Sequence, residues 1–413
     1  MTNKLNIVVF GLWHLGTVTA ACCSKYHNVI GFDFNEKVIN DLNLNISPLF
    51  EPKLDETIKQ GLDSGNLRFT YDINEIKNAD VLWITYDTPV DENDISDVEY
   101  VKHNLHKITS YLPDNCIIII SSQLPVGTCA ELESQYPKFN FVVIPENLRL
   151  GKSIDNFETP ERIVIGYRNE SLKQKLNELL RPFCKNLLYM KIESAEMVKH
   201  SINSFLALSI TFINEIACLC EHVGADAEEV SIGLKSDDRI GNKAYLKPGG
   251  PFEGGTLARD VVNLTNLNFD GLTPLISSIK VSNDNHKKWV INKLNAIFDS
   301  IEDKTVLILG LSYKSNTNTL RRSGAIELYD YLTNNNVNVS VYDPLINNLP
   351  EEYIRIKLVN EPIKSDIVII YTDRNEYKNI DWNELYSDSI IIDPNGYLKS
   401  KLKNLKYFSI GFK

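Results

Sequence analysis

Two segments in the middle of the chain carry residues that could do chemistry together. Lys199 and Asn203 lie four residues apart in an apolar, helix-patterned stretch, so one helical face presents both side chains. Residues 251–260 read PFEGGTLARD, a glycine pair followed by Thr256 and then by Asp260. An ammonium, an amide and a carboxylate together can stabilise an oxyanion and handle a proton. Taken singly, these segments are equally typical of a solvated lysine and a plain Gly-Gly turn.

A third motif lies near the N-terminus, where GLWHLG (residues 11–16) follows a strand pattern and opens a helix pattern. Asp33 stands at the end of the next strand pattern. In this context a helix N-terminus receives a dinucleotide pyrophosphate and the acid binds the ribose hydroxyls, which favours NAD over NADP. Trp13 occupies the place of the middle glycine, which normally lets the backbone approach the pyrophosphate. A plain strand–turn–helix connection therefore stays an alternative.

The elements that must position these residues follow from the hydrophobic pattern. Apolar strand patterns alternate with amphipathic helix patterns in both ends of the chain, as expected for parallel sheets covered on both faces. Residues 194–222 read as one long helix, and helix patterns follow it. We predict an α/β protein in which two Rossmann-like doubly wound domains are joined by a long central helix and a helical middle domain. The predicted domains are residues 1–193, 194–300 and 301–413.

Composition narrows the classes of partner. The 413 residues carry a net charge of −11 with dispersed basic residues, which argues against a nucleic-acid or anionic-membrane partner. No stretch reaches the roughly 18 uninterrupted apolar residues of a membrane span. The seven cysteines are odd in number and lack metal-ligand spacing, which predicts a reducing cytoplasm and no metal site.

The predicted central helix has apolar residues on more than one face, more than a single domain core requires. They are Val198, Ile202, Phe205, Leu206, Ile210, Ile213 and Ile216. We predict a homodimer built on this helix. The alternative is a helix buried entirely within its own chain.

Together these motifs resemble the UDP-glucose/GDP-mannose dehydrogenase family over nearly the whole chain. The matching segments come in the family's order: EPKLDE (51–56), LRFTYD (67–72), Thr88-Pro89, PVGT (125–128), PENLRLG (145–151), ERIVIG (161–166), residues 195–226, YLKPGG (245–250), residues 310–325 and VYDP (341–344). The resemblance implies an NAD-binding Rossmann domain, a central helix at a homodimer interface and a C-terminal domain that binds the nucleotide of a nucleotide sugar. The family oxidises a sugar's primary alcohol at C6 to a carboxylate and uses two NAD per turnover.

The resemblance also implies roles for individual residues. Lys199 matches the lysine that stabilises the oxyanion, Asn203 the asparagine that helps to hold the oxygen, and Asp260 the aspartate that assists proton transfer. We expect Asp260 to be the charge partner of Lys199, and Glu146 matches a glutamate that lines the sugar and orders a water. Further substrate-binding positions are Leu148, Arg239, Tyr245, Gly250, Phe252 and Lys314. The implied cofactor-binding positions are Gly11, Trp13, Leu15, Gly16, Asp33, Lys37, Thr88, Thr128 and Arg321.

The chain departs from the family pattern at positions that take part in the family's reaction. Thr256 stands where the family has its nucleophilic cysteine, and Gln123 replaces a catalytic threonine. Asn147 and Leu150 replace a Phe and a Glu after the Pro-Glu pair. A threonine hydroxyl is a far weaker acid than a thiol and needs an adjacent base to act as a nucleophile.

Three functions stay open at this point. The first is a nucleotide-sugar oxidoreductase that works without thioester chemistry, with a UDP-sugar as the foremost substrate candidate. The second is a four-electron UDP-sugar 6-dehydrogenase with an unrecognised nucleophile. The third is a protein that binds NAD and a nucleotide sugar without turnover, which Trp13 favours and the pairing of Lys199 with Asp260 disfavours.

Overall fold

A computed structural model describes residues 4–91, 94–267, 271–315, 317–402 and 404–412. The chain divides into two compact units, Met1–Ser201 and Ile202–Lys413. Each unit is organised around one sheet with helices on its faces. The three domain boundaries predicted from the sequence stay predictions.

The first unit alternates strands and helices along the chain. Its elements are β1 (Asn6–Phe10), α1 (His14–Cys23), β2 (Asn28–Phe32), α2 (Glu36–Asn43), α3 (Leu54–Asp63), β3 (Leu67–Thr70), β4 (Val81–Ile84), α4 (Val98–Ile108), β5 (Ile117–Ile120), α5 (Thr128–Gln135), β6 (Asn140–Val143), α6 (Ser153–Glu158), β7 (Ile163–Gly166), α7 (Lys173–Leu180) and β8 (Leu187–Met190).

These strands form one eight-stranded sheet in the order β3-β2-β1-β4-β5-β6-β7-β8, parallel except between β6 and β7. The strand order reverses between β1 and β4. In open α/β sheets, the crevice beyond the carboxyl ends of such strands is where ligands bind. The turn at residues 11–16 follows β1 and therefore lies at this switch point.

Strand alternation divides the core of the first unit into two layers. Ile7 and Val9 of β1 face one apolar cluster, and Val8 and Phe10 face the other. Because successive side chains of a strand point to opposite faces, a continuous apolar run fills both layers at once. The doubly covered parallel sheet predicted from these runs is confirmed.

One long helix, α8 (Ile192–Val223), crosses the boundary between the units. Helices α9 (Ala227–Ser236), α10 (Thr256–Asn266), α11 (Pro274–His286) and α12 (Trp289–Ile297) follow it. By length and composition, α8 is apolar enough to span a membrane, but core helices of water-soluble proteins pass the same test. The predicted absence of a membrane partner stays a prediction.

The second sheet closes the chain. Its elements are β9 (Thr305–Leu309), α13 (Gly324–Asn334), β10 (Asn338–Tyr342), β11 (Ile367–Ile370), α14 (Trp382–Tyr386), β12 (Ile390–Ile392) and β13 (Lys406–Phe408). The strands pair in parallel in the order β10-β9-β11-β12-β13, so the order reverses between β9 and β11. This is the second common doubly wound order, with its own ligand crevice at the switch point.

Candidate active site

The turn after β1 has the geometry of a dinucleotide site. Gly11 has a φ of +98° and donates its N–H to the carbonyl of Phe32 at 3.2 Å. A Cβ at Gly16 would lie 1.9 Å from the Gly11 carbonyl oxygen, so only glycine lets α1 begin this close to the turn. The backbone there can receive a pyrophosphate at the N-terminus of α1.

Asp33 follows β2 and is fixed by the backbone around it. Its Oδ2 accepts the N–H of Leu12 at 2.8 Å, and its Oδ1 accepts the N–H of Asn35 at 3.0 Å. The half-buried carboxylate is thereby aimed across the mouth of the turn. A ribose fits such an acceptor, whereas the 2′-phosphate of NADP would meet a like charge.

Trp13 is the residue just before α1, and 51% of its surface is exposed. It therefore adds little to the core. Replacing it with glycine would leave no buried cavity, so any effect of that change on NAD affinity reports on the turn itself.

The other predicted cofactor residues of the first unit lie in different surroundings. Leu15 is half-buried in α1, and Thr88 is buried after β4. Thr128 begins α5 and donates its hydroxyl to the Pro125 carbonyl at 2.8 Å. Lys37 is exposed on α2 and pairs with an aspartate one helical turn later, at 2.5 Å. Their proposed cofactor contacts remain predictions.

A buried polar cluster ties the dinucleotide turn to the segment around Glu146. Glu51 accepts N–H groups from Gly151 at 2.9 Å and Ser153 at 3.0 Å, and the Ser153 hydroxyl at 3.0 Å. Although burial raises the pKa of Glu51, these hydrogen bonds outweigh it and hold the pKa below its usual value. His14 Nε2 lies 3.1 Å from the carboxylate and 2.9 Å from the Ser153 hydroxyl. Glu51 and Ser153 both contact Nε2 of His14. A Ser-His-Asp catalytic triad uses a different ring nitrogen for each partner, so this cluster does not have that geometry.

Lys199 and Glu146 form an ion pair within the first unit. Lys199 Nζ lies 3.4 Å from Glu146 Oε2, and the two side chains are 14% and 25% exposed. The other carboxylate oxygen of Glu146 accepts the N–H of Leu148 at 2.9 Å, which fixes the side chain. The predicted ammonium therefore stands beside the glutamate that the resemblance placed at the sugar. The pairing of Lys199 with Asp260 stays a prediction.

Asn203 and Asp260 form the corresponding pair in the second unit. The side-chain amide of Asn203 donates to Asp260 Oδ2, and both residues are buried. Asn203 lies one turn after Lys199 on α8, so the helix itself presents both on one face. Asp260 lies one turn after Thr256 on α10, where Thr256 is the exposed first residue. Within the second unit, α8 and α10 thus bring Asn203 and Asp260 into one hydrogen-bonded pair, with Thr256 one turn before Asp260.

Three asparagines hold the segment before α10, residues 249–256, which we call the ligand loop. Asn214 of α8 donates to the Gly250 carbonyl at 3.1 Å, and Asn395 accepts the Gly250 N–H at 2.8 Å. Asn283 of α11 accepts the N–H of Phe252 at 2.9 Å and donates to its carbonyl at 3.0 Å. The backbone of this loop is therefore fixed from three elements of its own unit.

The loop contains a further anchor, Glu253. Its carboxylate accepts the hydroxyl of Tyr371, which follows β11, and the N–H of Gly324 at 3.0 Å. Burial raises the pKa of Glu253 to about 7, against the lowering effect of these two hydrogen bonds. A buried carboxyl group thus lies three residues before Thr256.

The remaining predicted substrate residues are spread over the second unit. Arg239 is exposed, and its guanidinium bonds the Asp237 carboxylate at 2.7 and 3.0 Å. Tyr245 is 55% exposed, and Lys314 is exposed with its Nζ 5.2 Å from the ring centre of Tyr313. Their exposure is compatible with ligand contact. Arg321, predicted to reach the cofactor, is also exposed.

Two predicted substrate positions are apolar side chains packed inward. Phe252 is buried in a small cluster with Ala207, Val261 and Ile279. Leu148 packs against the core of the first unit. Their proposed ligand contacts stay predictions.

None of the cysteines has the surroundings of a nucleophile. All seven are free thiols, and only Cys218 is exposed. Burial raises the pKa of Cys22, Cys23, Cys116, Cys129 and Cys218, which disfavours the reactive thiolate. Across the described ranges, no group of three or more His, Cys, Asp or Glu side chains could hold a metal ion.

Comparison with known proteins decides the family. Three family models match the chain in order: the NAD binding domain of the UDP-glucose/GDP-mannose dehydrogenase family over residues 5–184, its central domain over 193–285 and its UDP binding domain over 307–400. The chain belongs to the UDP-glucose/GDP-mannose dehydrogenase family. It is therefore a nucleotide-sugar dehydrogenase by family, with NAD as its cofactor.

Similar proteins in this family match along most or all of their length. UDP-glucose 6-dehydrogenase of Rickettsia typhi is 33% identical, covering 99% of this chain and 100% of the relative. UDP-glucose 6-dehydrogenase TuaD of Bacillus subtilis is 31% identical over 94% of this chain and 88% of the relative. The structure of a UDP-glucose dehydrogenase from Pyrobaculum islandicum has a TM-score of 0.89 at 26% identity, covering 100% of this chain and 99% of that one.

Sequence reasoning missed several residues that shape this family member's site. Glu51 lay in a quoted segment, but nothing near it in sequence predicted its contacts with Gly151 and Ser153. The asparagines of the ligand loop come from three distant elements and carry no periodic signal. The sequence carried one signal for Glu253. It is an acid in a loop of glycines and small or apolar residues, and burying an acid there costs free energy unless it has hydrogen-bond partners.

Proposed function

We propose that the protein is an NAD-dependent oxidoreductase that oxidises an alcohol of a nucleotide-linked sugar without thioester chemistry. A UDP-sugar is the foremost substrate class, because a UDP binding domain matches residues 307–400 and similar relatives are named UDP-glucose 6-dehydrogenases. The proposal depends most on two polar pairs, which are Lys199 with Glu146 and Asn203 with Asp260. These pairs are formed, but the residue one turn before Asp260 is Thr256 and not a cysteine.

The proposed chemistry removes a hydride from the alcohol carbon and a proton from its oxygen. Bound NAD would supply the acceptor for this hydride. Lys199 and Asn203, one turn apart on α8, stabilise the negative charge that develops on the oxygen. Glu146 and Asp260 are the carboxylates that take up or relay the proton, each already held by a hydrogen bond or ion pair.

Thr256 has a non-covalent role in this proposal. Its hydroxyl lies at the first position of α10, exposed and followed by first-turn N–H groups that lack partners within the helix. A β-branched alcohol there can donate or accept a hydrogen bond and contribute to the wall of the site. It lacks the acidity for attack on an aldehyde unless a base adjoins it. The reaction therefore ends at an aldehyde or ketone, or continues through a hydrated aldehyde.

The second candidate function, a four-electron dehydrogenase with another nucleophile, lacks support from the thiols. Cys218 and Cys220 lie 15 and 17 residues beyond Asn203 on α8. At the rise of an α-helix this separates them from Asn203 by about 22 and 25 Å. The third candidate, a protein that binds without turnover, is distinguished from the proposed function by NADH production.

To test this proposal, NADH production and the mass of the product are measured with a panel of UDP-, GDP-, CDP- and dTDP-sugars. We expect NADH with at least one UDP-sugar and loss of activity of about 10²-fold or more in Lys199→Ala and Asp260→Ala. The control is Lys59→Ala, which removes an exposed lysine paired with Asp63 one turn later on α3. If no nucleotide sugar yields NADH while NAD and UDP still bind, the protein is a binder.

We further propose a homodimer in the cytoplasm. Phe205, Phe212 and Leu219 are exposed on α8 at intervals of seven residues, with 68%, 46% and 61% of their surfaces free. A seven-residue apolar repeat is the seam that packs one helix against another. The free thiols fit a reducing compartment.

A further inference from the structure

The carboxyl group of Glu253 occupies a place where doubly wound domains bind their ligands. It lies at the N-terminus of α13, the first helix after β9, and contacts Tyr371 at the carboxyl end of β11. The strand order of the second sheet reverses between β9 and β11. That crevice, with its helix N-terminus, receives anions in this fold class. Here the chain fills it with its own carboxylate.

The residues around the Glu253 carboxyl group leave space for it and supply its hydrogen bonds. A Cβ at Gly324 would lie 2.0 Å from Glu253 Oε1 and 2.0 Å from the Tyr371 hydroxyl, so only glycine leaves room. Ser323 caps α13 by accepting the N–H of Ala325. The Gly324 N–H, one of the helix's unpaired first-turn donors, goes to Glu253 instead. The donor, the hydroxyl and the missing Cβ thus come from two elements around one side chain.

We propose that Glu253 is a positioning residue that tethers the ligand loop to the switch-point crevice of the second sheet. The proposal rests on the proposed function only in treating residues 249–256 as a ligand-contacting loop. The asparagines hold the loop up to Phe252, and Glu253 extends that hold toward Gly254, Gly255 and Thr256.

Burial and two nearby charged groups shift the pKa of the Glu253 carboxyl group. Glu327 of α13 raises the pKa of Glu253, and Lys287 at the end of α11 lowers it, although the two pair with each other at 3.0 Å. Burial is the largest cause and raises the pKa to about 7, so the tether titrates near neutrality. Both forms can keep the two contacts, because a protonated carboxyl group retains acceptor oxygens and can donate its own proton to the Tyr371 hydroxyl.

Hydrogen–deuterium exchange of the ligand-free protein tests the tether without reference to turnover. In Glu253→Ala we expect exchange at residues 254–257 and 324–326 to rise at least about tenfold, with the sheets unchanged. Gly324→Ala should do the same, because its Cβ expels the carboxyl group. Glu327→Gln, which removes a neighbouring carboxylate without touching these hydrogen bonds, is the matched control.

Infrared difference spectra supply the second readout. A protonated-carboxyl band that titrates near pH 7 should be present in the wild type and absent in Glu253→Gln. Unchanged exchange in both Glu253→Ala and Gly324→Ala would overturn the proposal, as would a uniform increase across the second unit, which marks general destabilisation. Failure of the proposed function would instead show as protein that keeps the tether and produces no NADH.

Discussion

At the scale of single residues, we predict that Trp13 limits how closely a dinucleotide approaches the turn. Because half of its surface is exposed, we expect Trp13→Gly to leave the melting temperature nearly unchanged. The same variant should tighten NAD about fivefold, worth about 1 kcal/mol, since the backbone is then open to the pyrophosphate. Calorimetry with NAD and NADP measures this, with Tyr111→Ala as an exposed-aromatic control. Weaker NAD binding in Trp13→Gly would show that the indole contacts the cofactor, and tighter binding of NADP than of NAD would contradict the role of Asp33.

At the scale of elements, Glu253 couples the ligand loop to α13 and makes their packing depend on pH. Its pKa rises from 4.5 to about 7 on folding. Between these values the folded protein holds a proton on Glu253 that the unfolded chain has lost. The contribution of this carboxyl group to stability is therefore full below pH 4.5 and declines as pH rises to about 7. We expect the free energy of unfolding of the wild type to fall relative to Glu253→Gln by up to about 3 kcal/mol across this window. Urea denaturation at several pH values measures it. Parallel pH curves for the two proteins would contradict the assignment.

At the scale of the whole molecule, the exposed stripe on α8 predicts the assembly. Phe212→Glu places a charge in the middle of the stripe, and we expect it to convert a dimer to a monomer by light scattering at micromolar concentration. The monomer should keep its circular dichroism spectrum, because Phe212 is 46% exposed and outside the described core clusters. Ile354→Glu, at a residue 79% exposed on the second unit, is the control. A wild type that is already monomeric, or a Phe212→Glu protein that stays dimeric, would refute this interface.

The fold could be predicted from the sequence because the strands are continuous apolar runs that alternate with amphipathic helix patterns. Residues 194–222 were predicted as one helix, and α8 runs from Ile192 to Val223. The pairs at the site were less accessible. Lys199 and Asn203 share a helical face by spacing alone, but the contact of Lys199 with Glu146 joins residues 53 positions apart and needed the tertiary structure. Glu253, Tyr371 and Gly324 meet only because three separate segments converge on one sheet edge.

We propose that a nucleotide sugar is oxidised without a covalent intermediate on Thr256. Intact-protein mass spectrometry on enzyme quenched during turnover, with NADH counted in the same samples, tests it most directly. We predict NADH accumulating while the protein mass stays unchanged, and turnover by Thr256→Ala within about fivefold of wild type, the worth of one hydrogen bond of about 1 kcal/mol. An acyl adduct localised to Thr256, together with loss of all turnover in Thr256→Ala, would contradict the account and make the threonine a nucleophile.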